Sequence, residues 1–190
     1  MYKILKASIL IPFRKFPSRS DLKNTKVQDV IVLYLLSLCA DLASLYLTHT
    51  ISSDPDGTLL YGALSILGGG IAALIITALA GKMVINKYAR VKFTLKEVII
   101  LFVVLTAGMN IIATIISTPF TMLGESGALV LGGLVLLFDL YMLVAYRDAI
   151  SVVGGISKRE AVNVMIAPFL ALLLCLVLIF LLSLIVAATM

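Results

Sequence analysis

The chain has 190 residues, of which 62% are apolar and only 13% charged, about half the charged share of an average soluble domain. Its net charge is +5, from 15 Lys and Arg against 10 Asp and Glu, and its mean hydropathy of +1.16 lies outside what a water-facing surface allows. These values exclude a soluble globular enzyme, a disordered chain and a disulfide scaffold, the last because Cys39 and Cys175 both sit deep inside apolar runs.

Residues 1–29 form a first unit. Tyr2, Ile4, Leu5, Ile9, Leu10, Ile11, Phe13 and Phe16 are interleaved with Lys3, Lys6, Arg14 and Lys15, and Pro12 interrupts them. A signal peptide would place its basic residues before one apolar core and end at a small-residue cleavage site. This segment does neither, so it is expected to stay on the mature protein. The pattern predicts an interfacial stretch on the inner leaflet, apolar face down, serving as a topological anchor or as a docking surface for a cytosolic partner.

Five apolar runs follow, over 30–50, 59–81, 98–119, 128–146 and 164–187. Each is long enough to cross a hydrocarbon core of about 30 Å. None shows the alternating polarity of barrel strands, so the expected fold is all-α, a polytopic bundle of five transmembrane helices. In the first run Tyr34, Ser37, Asp41, Ser44 and Thr48 recur on one helix face. The next turn, Asp54-Pro55-Asp56-Gly57, is ordinary turn chemistry. The second run carries Ser65, Gly69, Ala73, Thr77 and Gly81 at four-residue steps, a series that lets a neighbouring backbone come close. The third repeats the polar face with Thr106, Asn110, Thr114 and Ser117, which predicts a polar seam between the first and third helices. The fourth holds Asp139. Between the fourth and fifth, Gly154-Gly155 reads as a turn, and Ser157 with Glu160 has capping-box spacing. The fifth brings Ala167, Ala171 and Cys175 beside Pro168, a predicted kink.

The cations set the threading. All 15 lie in three segments: Lys3, Lys6, Arg14, Lys15, Arg19, Lys23 and Lys26; Lys82, Lys87, Arg90, Lys92 and Lys96; and Arg147, Lys158 and Arg159. The intervening loops hold only Asp54, Asp56 and Glu125. Positive charge in short loops marks the cytoplasmic side, which predicts an inside N-terminus, an outside C-terminus and an odd number of crossings in the cell membrane. The same cations meet anionic lipid head groups at about 1 kcal/mol each. Nothing resembling a nucleic-acid motif accompanies them, so no nucleic-acid partner is expected.

Asp41, Asp139 and Asn110 sit near the middle of their runs. An ionised carboxylate at a helix centre costs about 2.5–3.5 kcal/mol on insertion scales, and no Lys or Arg lies within a run to neutralise it. Two readings stay open. In one, Asp41 and Asp139 are structural glue, hydrogen-bonded to Asn110, Ser37, Ser44 or Tyr34; in the other they line a proton or cation path. On the first reading Asp139→Asn folds with its topology intact. The sole histidine, His49, with Asp54 and Asp56 falls short of a zinc ligand set, so no metal site is expected. Gly68-Gly69-Gly70 lacks the lysine and context of a phosphate loop. No nucleophile–base pair is visible, and neither catalysis nor a cofactor is expected.

The layout resembles the Yip1-domain family of multi-pass membrane proteins. The resemblance rests on Ile11-Pro12-Phe13-Arg14-Lys15-Phe16 before the first span, Lys92-Phe93-Thr94-Leu95-Lys96-Glu97 entering the third, and Tyr146-Arg147-Asp148-Ala149 with Gly155-Ile156-Ser157-Lys158-Arg159-Glu160-Ala161 after the fourth. It spans nearly the whole chain as a pattern of apolar lengths and short motifs, and the minimal loops suit a prokaryotic, for instance archaeal, member. The Asp-Leu-Tyr-Gly-Pro signature of the eukaryotic members is missing, so their binding of small GTPases does not carry over. For such a member the resemblance implies the fold and the membrane location only. The expected function is a non-enzymatic membrane scaffold that offers Lys3, Lys6, Arg14, Lys15, Lys82, Lys87, Arg90 and Lys92 to lipid head groups or a protein partner. The alternatives are a small proton or cation channel or transporter subunit using Asp41 and Asp139, or an accessory subunit of a larger membrane complex.

Overall fold

Long apolar runs leave the backbone no partners but its own, and such runs pair their N–H and C=O groups along a helix. The computed structural model describes residues 2–13, 15–52, 57–121 and 124–189, and every regular element among them is helical. In chain order these are α1 (Tyr2–Leu10), a 3₁₀ turn (Ile11–Phe13), α2 (Arg19–Asn24), α3 (Val27–Ser52), α4 (Gly57–Leu64), a π-helical turn (Ser65–Gly69), α5 (Gly70–Tyr88), α6 (Leu95–Thr121), α7 (Gly124–Gly154) and α8 (Lys158–Thr189).

Three helices among the described residues are long and apolar enough to cross a membrane: Tyr61–Tyr88, which runs through the π turn, Leu95–Pro119 and Lys158–Leu178. α3 and α7, with 26 and 31 residues, are about 39 and 46 Å long at 1.5 Å per residue. The helices outrun the apolar stretches that announce them. α6 and α8 begin before their apolar runs because Thr94 with Glu97 and Ser157 with Glu160 form reciprocal caps: Glu97 accepts from the Thr94 backbone at 2.7 Å and Glu160 from that of Ser157 at 2.8 Å. α7 continues two turns past residue 146 and ends at Gly155, whose φ of 59° suits the left-handed closing position.

α6 is the axis of the molecule. Val98, Ile100, Leu101, Val103, Val104 and Leu105 are each at most 2% exposed. α5, α6, α7 and α8 pack in a closed ring, each against the next, while α3 lies along a separate flank of α6 in the most extensive helix pair of the fold. The predicted pairing of the first and third spans is therefore present. α8 packs next most extensively, against α5, with Ala161, Val164 and Pro168 buried and Ala171 and Cys175 half-buried. The small-residue series of the second run is split. Gly81 is buried against the Phe102 ring, but Ser65 and Gly69 are exposed. The π turn at the glycine run accounts for this, because one extra residue in a turn rotates everything before it away from the face that follows.

The N-terminal segment is more than a stretch beside the bundle. α1 packs on α6 and touches α3, and the 3₁₀ turn behind it reaches α7. Ser8 and Ile11 are fully buried. At Gly108 the backbones meet: a Cβ there would lie 2.3 Å from the Ser8 carbonyl oxygen.

Candidate functional site

The polar seam is built where α3 crosses α6. Ser37 and Asp41 are one turn apart on α3, and Asn110 on α6 faces both. Its Nδ2 donates to Ser37 Oγ at 3.1 Å and to Asp41 Oδ2 at 2.9 Å, so both amide hydrogens are used. Ser37 is buried and Asp41 half-buried. Tyr34, one turn earlier, joins neither residue: its hydroxyl is buried without a hydrogen-bond partner, against Gly70. The side chain of Ser44 lies outside the described residues, as do those of His49, Asp54, Asp56 and Glu125.

The seam is shorter than its sequence pattern. Thr106 gives its hydroxyl to the Phe102 carbonyl at 2.8 Å, Ser117 to Thr114 at 3.2 Å and Thr118 to Thr114 at 2.7 Å. Hydroxyl residues in a helix can satisfy themselves one turn back, so helical spacing alone does not aim them at a neighbour. Asp139 stands apart. It lies half-buried on α7, which packs against α6 and α8, whereas Asp41 is on α3. Among the described residues no hydrogen bond joins the two carboxylates. Nor do the described residues include any cluster of three or more His, Cys, Asp and Glu side chains able to hold a metal ion.

A second constellation gathers at the end of the bundle where α5 turns into α6. Arg19 Nε donates to Glu97 Oε1 at 3.0 Å, while Nη1 and Nη2 donate to the carbonyls of Val91 and Lys92 at 2.9 and 2.5 Å. Its guanidinium lies 3.8 Å from the centre of the Phe93 ring. Asn86 grips the same turn, giving Nδ2 to the Phe93 carbonyl at 3.0 Å and accepting from the Phe93 N–H at 2.6 Å, while Lys92 Nζ donates to the Asn86 carbonyl. Glu97 is only 2% exposed, a burial a carboxylate tolerates when paired in this way. Sequence reasoning counts Arg19 among topological cations and misses the clasp. Its one local signal is the Thr94–Glu97 capping box.

At the same end Asp148 accepts from Arg147 Nε and Nη2 at 2.9 and 2.8 Å, with Lys158 Nζ at 3.7 Å. Asn163 of α8 donates to the Tyr88 hydroxyl at 3.1 Å. Deeper in the bundle Tyr146 donates to the Leu105 carbonyl at 2.6 Å. Of the predicted basic face, Lys6, Lys15, Lys87, Arg90 and Lys92 are exposed and Lys82 half-buried, while Arg14 and the side chain of Lys3 lie outside the described residues. Between the N-terminal segment and α6 this end also holds a half-open cavity of about 780 Å³, with Lys6, Lys15, Asp21 and Asp29 among its polar lining and Ile100 and Val104 among its apolar lining. The sequence gives no hint of it.

No protein-family model, curated protein or solved structure matches this chain. Its function has to be read from its own residues.

Proposed function

We propose that this chain is a five-span, non-enzymatic scaffold of the cell membrane, with its N-terminus inside and its C-terminus outside, and that its working surface is the basic end of the bundle. One observation carries the reading. The three segments that hold every Lys and Arg converge on one end: Arg19 is bonded to the α5–α6 turn, and Asn163 near the start of α8 reaches Tyr88 at the end of α5. A charge asymmetry in the sequence is thus an asymmetry in space, of the kind that retains loops in the cytoplasm. Elsewhere the bundle wears apolar side chains outward, among them Phe169, Leu170, Leu173, Leu174 and Leu176 of α8, each at least 58% exposed. A soluble monomer rarely shows so large a contiguous apolar face; lipid would cover it. The resemblance to the Yip1-domain layout agrees with such a bundle and with its membrane location.

The seam supports glue rather than conduction. Asn110 donates to both Asp41 and Ser37, and Asp139 stands on α7, which packs against α6 and α8 while Asp41 is on α3, an arrangement that favours two separate polar sites over one path. Two measurements test the whole reading. A photo-crosslinking residue at Arg90 in intact membranes should give one discrete protein adduct, and adducts to lipid alone would refute the scaffold. Purified protein in liposomes should carry no proton or cation current; a current abolished by Asp41→Asn would replace the scaffold with a transporter.

A further inference from the structure

The cavity between the N-terminal segment and α6 has the volume of a small-molecule site, about 780 Å³ against a usual range of about 300–1,000 Å³. Its walls come from α1, the connection to α2, α2 itself, the start of α3 and α6. The lining divides by chemistry. Lys6 and Lys15 supply ammonium groups, Asp21 and Asp29 supply carboxylates, and Ile100 and Val104 supply an apolar floor. An anion alone would meet the two carboxylates, and a cation alone the two amines. A ligand with both charges meets both.

Depth narrows the class. Ile100 and Val104 stand five and nine residues beyond the start of α6 at Leu95, about 8 and 14 Å along its axis. In a helix entering the membrane from its basic end, that is the level where head groups give way to acyl chains. We propose that this cavity binds one phospholipid of the basic-side leaflet whose headgroup carries a phosphate and a primary ammonium. Lys6 and Lys15 face the phosphate, the carboxylates of Asp21 and Asp29 accept from the ammonium, and the first part of an acyl chain lies against Leu10 and Phe16 above the buried edges of Ile100 and Val104. A primary ammonium has three N–H donors for these acceptors, and a quaternary one has none. Lys6, Asp21 and Asp29 already hold polar contacts, and Asp21 accepts from the Ser18 backbone and hydroxyl at 2.9 and 2.6 Å in the cap of α2, so the ammonium joins carboxylates that are partly engaged. The lipid would thereby join α1 and α2 to α6.

The assignment rests on the membrane orientation proposed above, and its test separates the two. The full chain in mild detergent is titrated with phosphatidylethanolamine, phosphatidylglycerol and phosphatidylcholine of identical acyl chains, and bound lipid is counted by native mass spectrometry. One phosphatidylethanolamine should be retained about ten-fold more strongly than the other two. Lys15→Gln, at an exposed side chain, should weaken it about five-fold without changing the melting temperature, and Asp29→Asn, at a half-buried lining residue, should weaken it by removing a charged acceptor for the ammonium. Equal retention of phosphatidylglycerol, or retention unchanged in both variants, overturns the site. Full competition by glycerophosphoethanolamine at the lipid's own concentration also overturns it, in favour of a soluble zwitterion. Thiol labelling of Lys23→Cys in intact cells reads the orientation separately: labelling from outside refutes the orientation whatever the lipid result, and protection from outside with no lipid retained refutes the site alone.

Discussion

At the scale of single residues, two polar clusters hold the bundle by different means. Asn110 spends its amide on Ser37 and Asp41 in the α3–α6 seam. Asn110→Leu keeps the branched shape but leaves the half-buried Asp41 carboxyl group without its donor, and should lower stability in detergent by about 1–2 kcal/mol. Asp41→Asn keeps a partner for the amide and should cost less than half of that; equal losses in the two would show that hydrogen bonding is not what Asn110 contributes. Arg19 acts through geometry as well as charge. Arg19→Lys retains the cation but has no planar fork to reach Glu97, Val91 and Lys92 at once, and should cost about 2 kcal/mol in denaturant unfolding. A loss under about 0.5 kcal/mol would reduce the clasp to an ordinary surface pair. The seam was legible in the sequence because Ser37, Asp41 and Asn110 each fall on a polar helical face. The clasp was not, since nothing local marks a bond between Arg19 and a residue 78 positions on, and a cation before the first span looks the same whether it faces solvent or a buried glutamate.

At the scale of elements, the helical nature of the five apolar runs was legible, while their limits, the π turn in the second and the helices α1 and α2 were not. A charge-free run measures the thickness of hydrocarbon, whereas a helix ends where its caps lie, so α6 and α8 start at Leu95 and Lys158, just after the caps Thr94 and Ser157, rather than where their charge-free runs begin. The packing of α1 was hidden for another reason: it depends on Gly108, one glycine among many small residues in the apolar runs. Mid-helix glycine is normally a loss of about 1 kcal/mol against alanine, so propensity alone says Gly108→Ala stabilises. The contact says the opposite, because the new Cβ would lie 2.3 Å from the Ser8 carbonyl oxygen, a backbone atom that cannot swing away. Gly108→Ala should therefore loosen α1, raising amide exchange over residues 2–10 by an order of magnitude or more while α5–α8 exchange is unchanged. Gly81→Ala is the contrasting case. Its Cβ would crowd the Phe102 ring at 2.4 Å, a side chain that can turn, so α1 should stay protected. Unchanged exchange at α1 in Gly108→Ala would mean that the segment is held elsewhere.

At the scale of the whole molecule, the membrane orientation proposed above fixes the direction of every helix. If α3 runs outward from the basic end, then α5 returns, α6 leaves, α7 returns and α8 leaves. The two native cysteines lie on α3 and α8, Cys39 exposed and Cys175 half-buried, so both are replaced by serine before single cysteines are introduced. In intact cells Lys23→Cys, Arg90→Cys and Arg159→Cys should resist a membrane-impermeant thiol reagent until the membrane is opened, while Asp54→Cys and Glu125→Cys should react at once. The pattern is demanding because it couples distant positions. A bundle with only the three most apolar helices crossing would put at least one of these five residues in the wrong compartment, since each omitted crossing reverses the side of every loop beyond it. Reaction of Arg90→Cys and Asp54→Cys from the same side would remove the second crossing. With it would go the argument that gathers Lys6, Lys15 and Arg90 on one leaflet, because the basic end would then be a feature of the fold without a membrane face to act on.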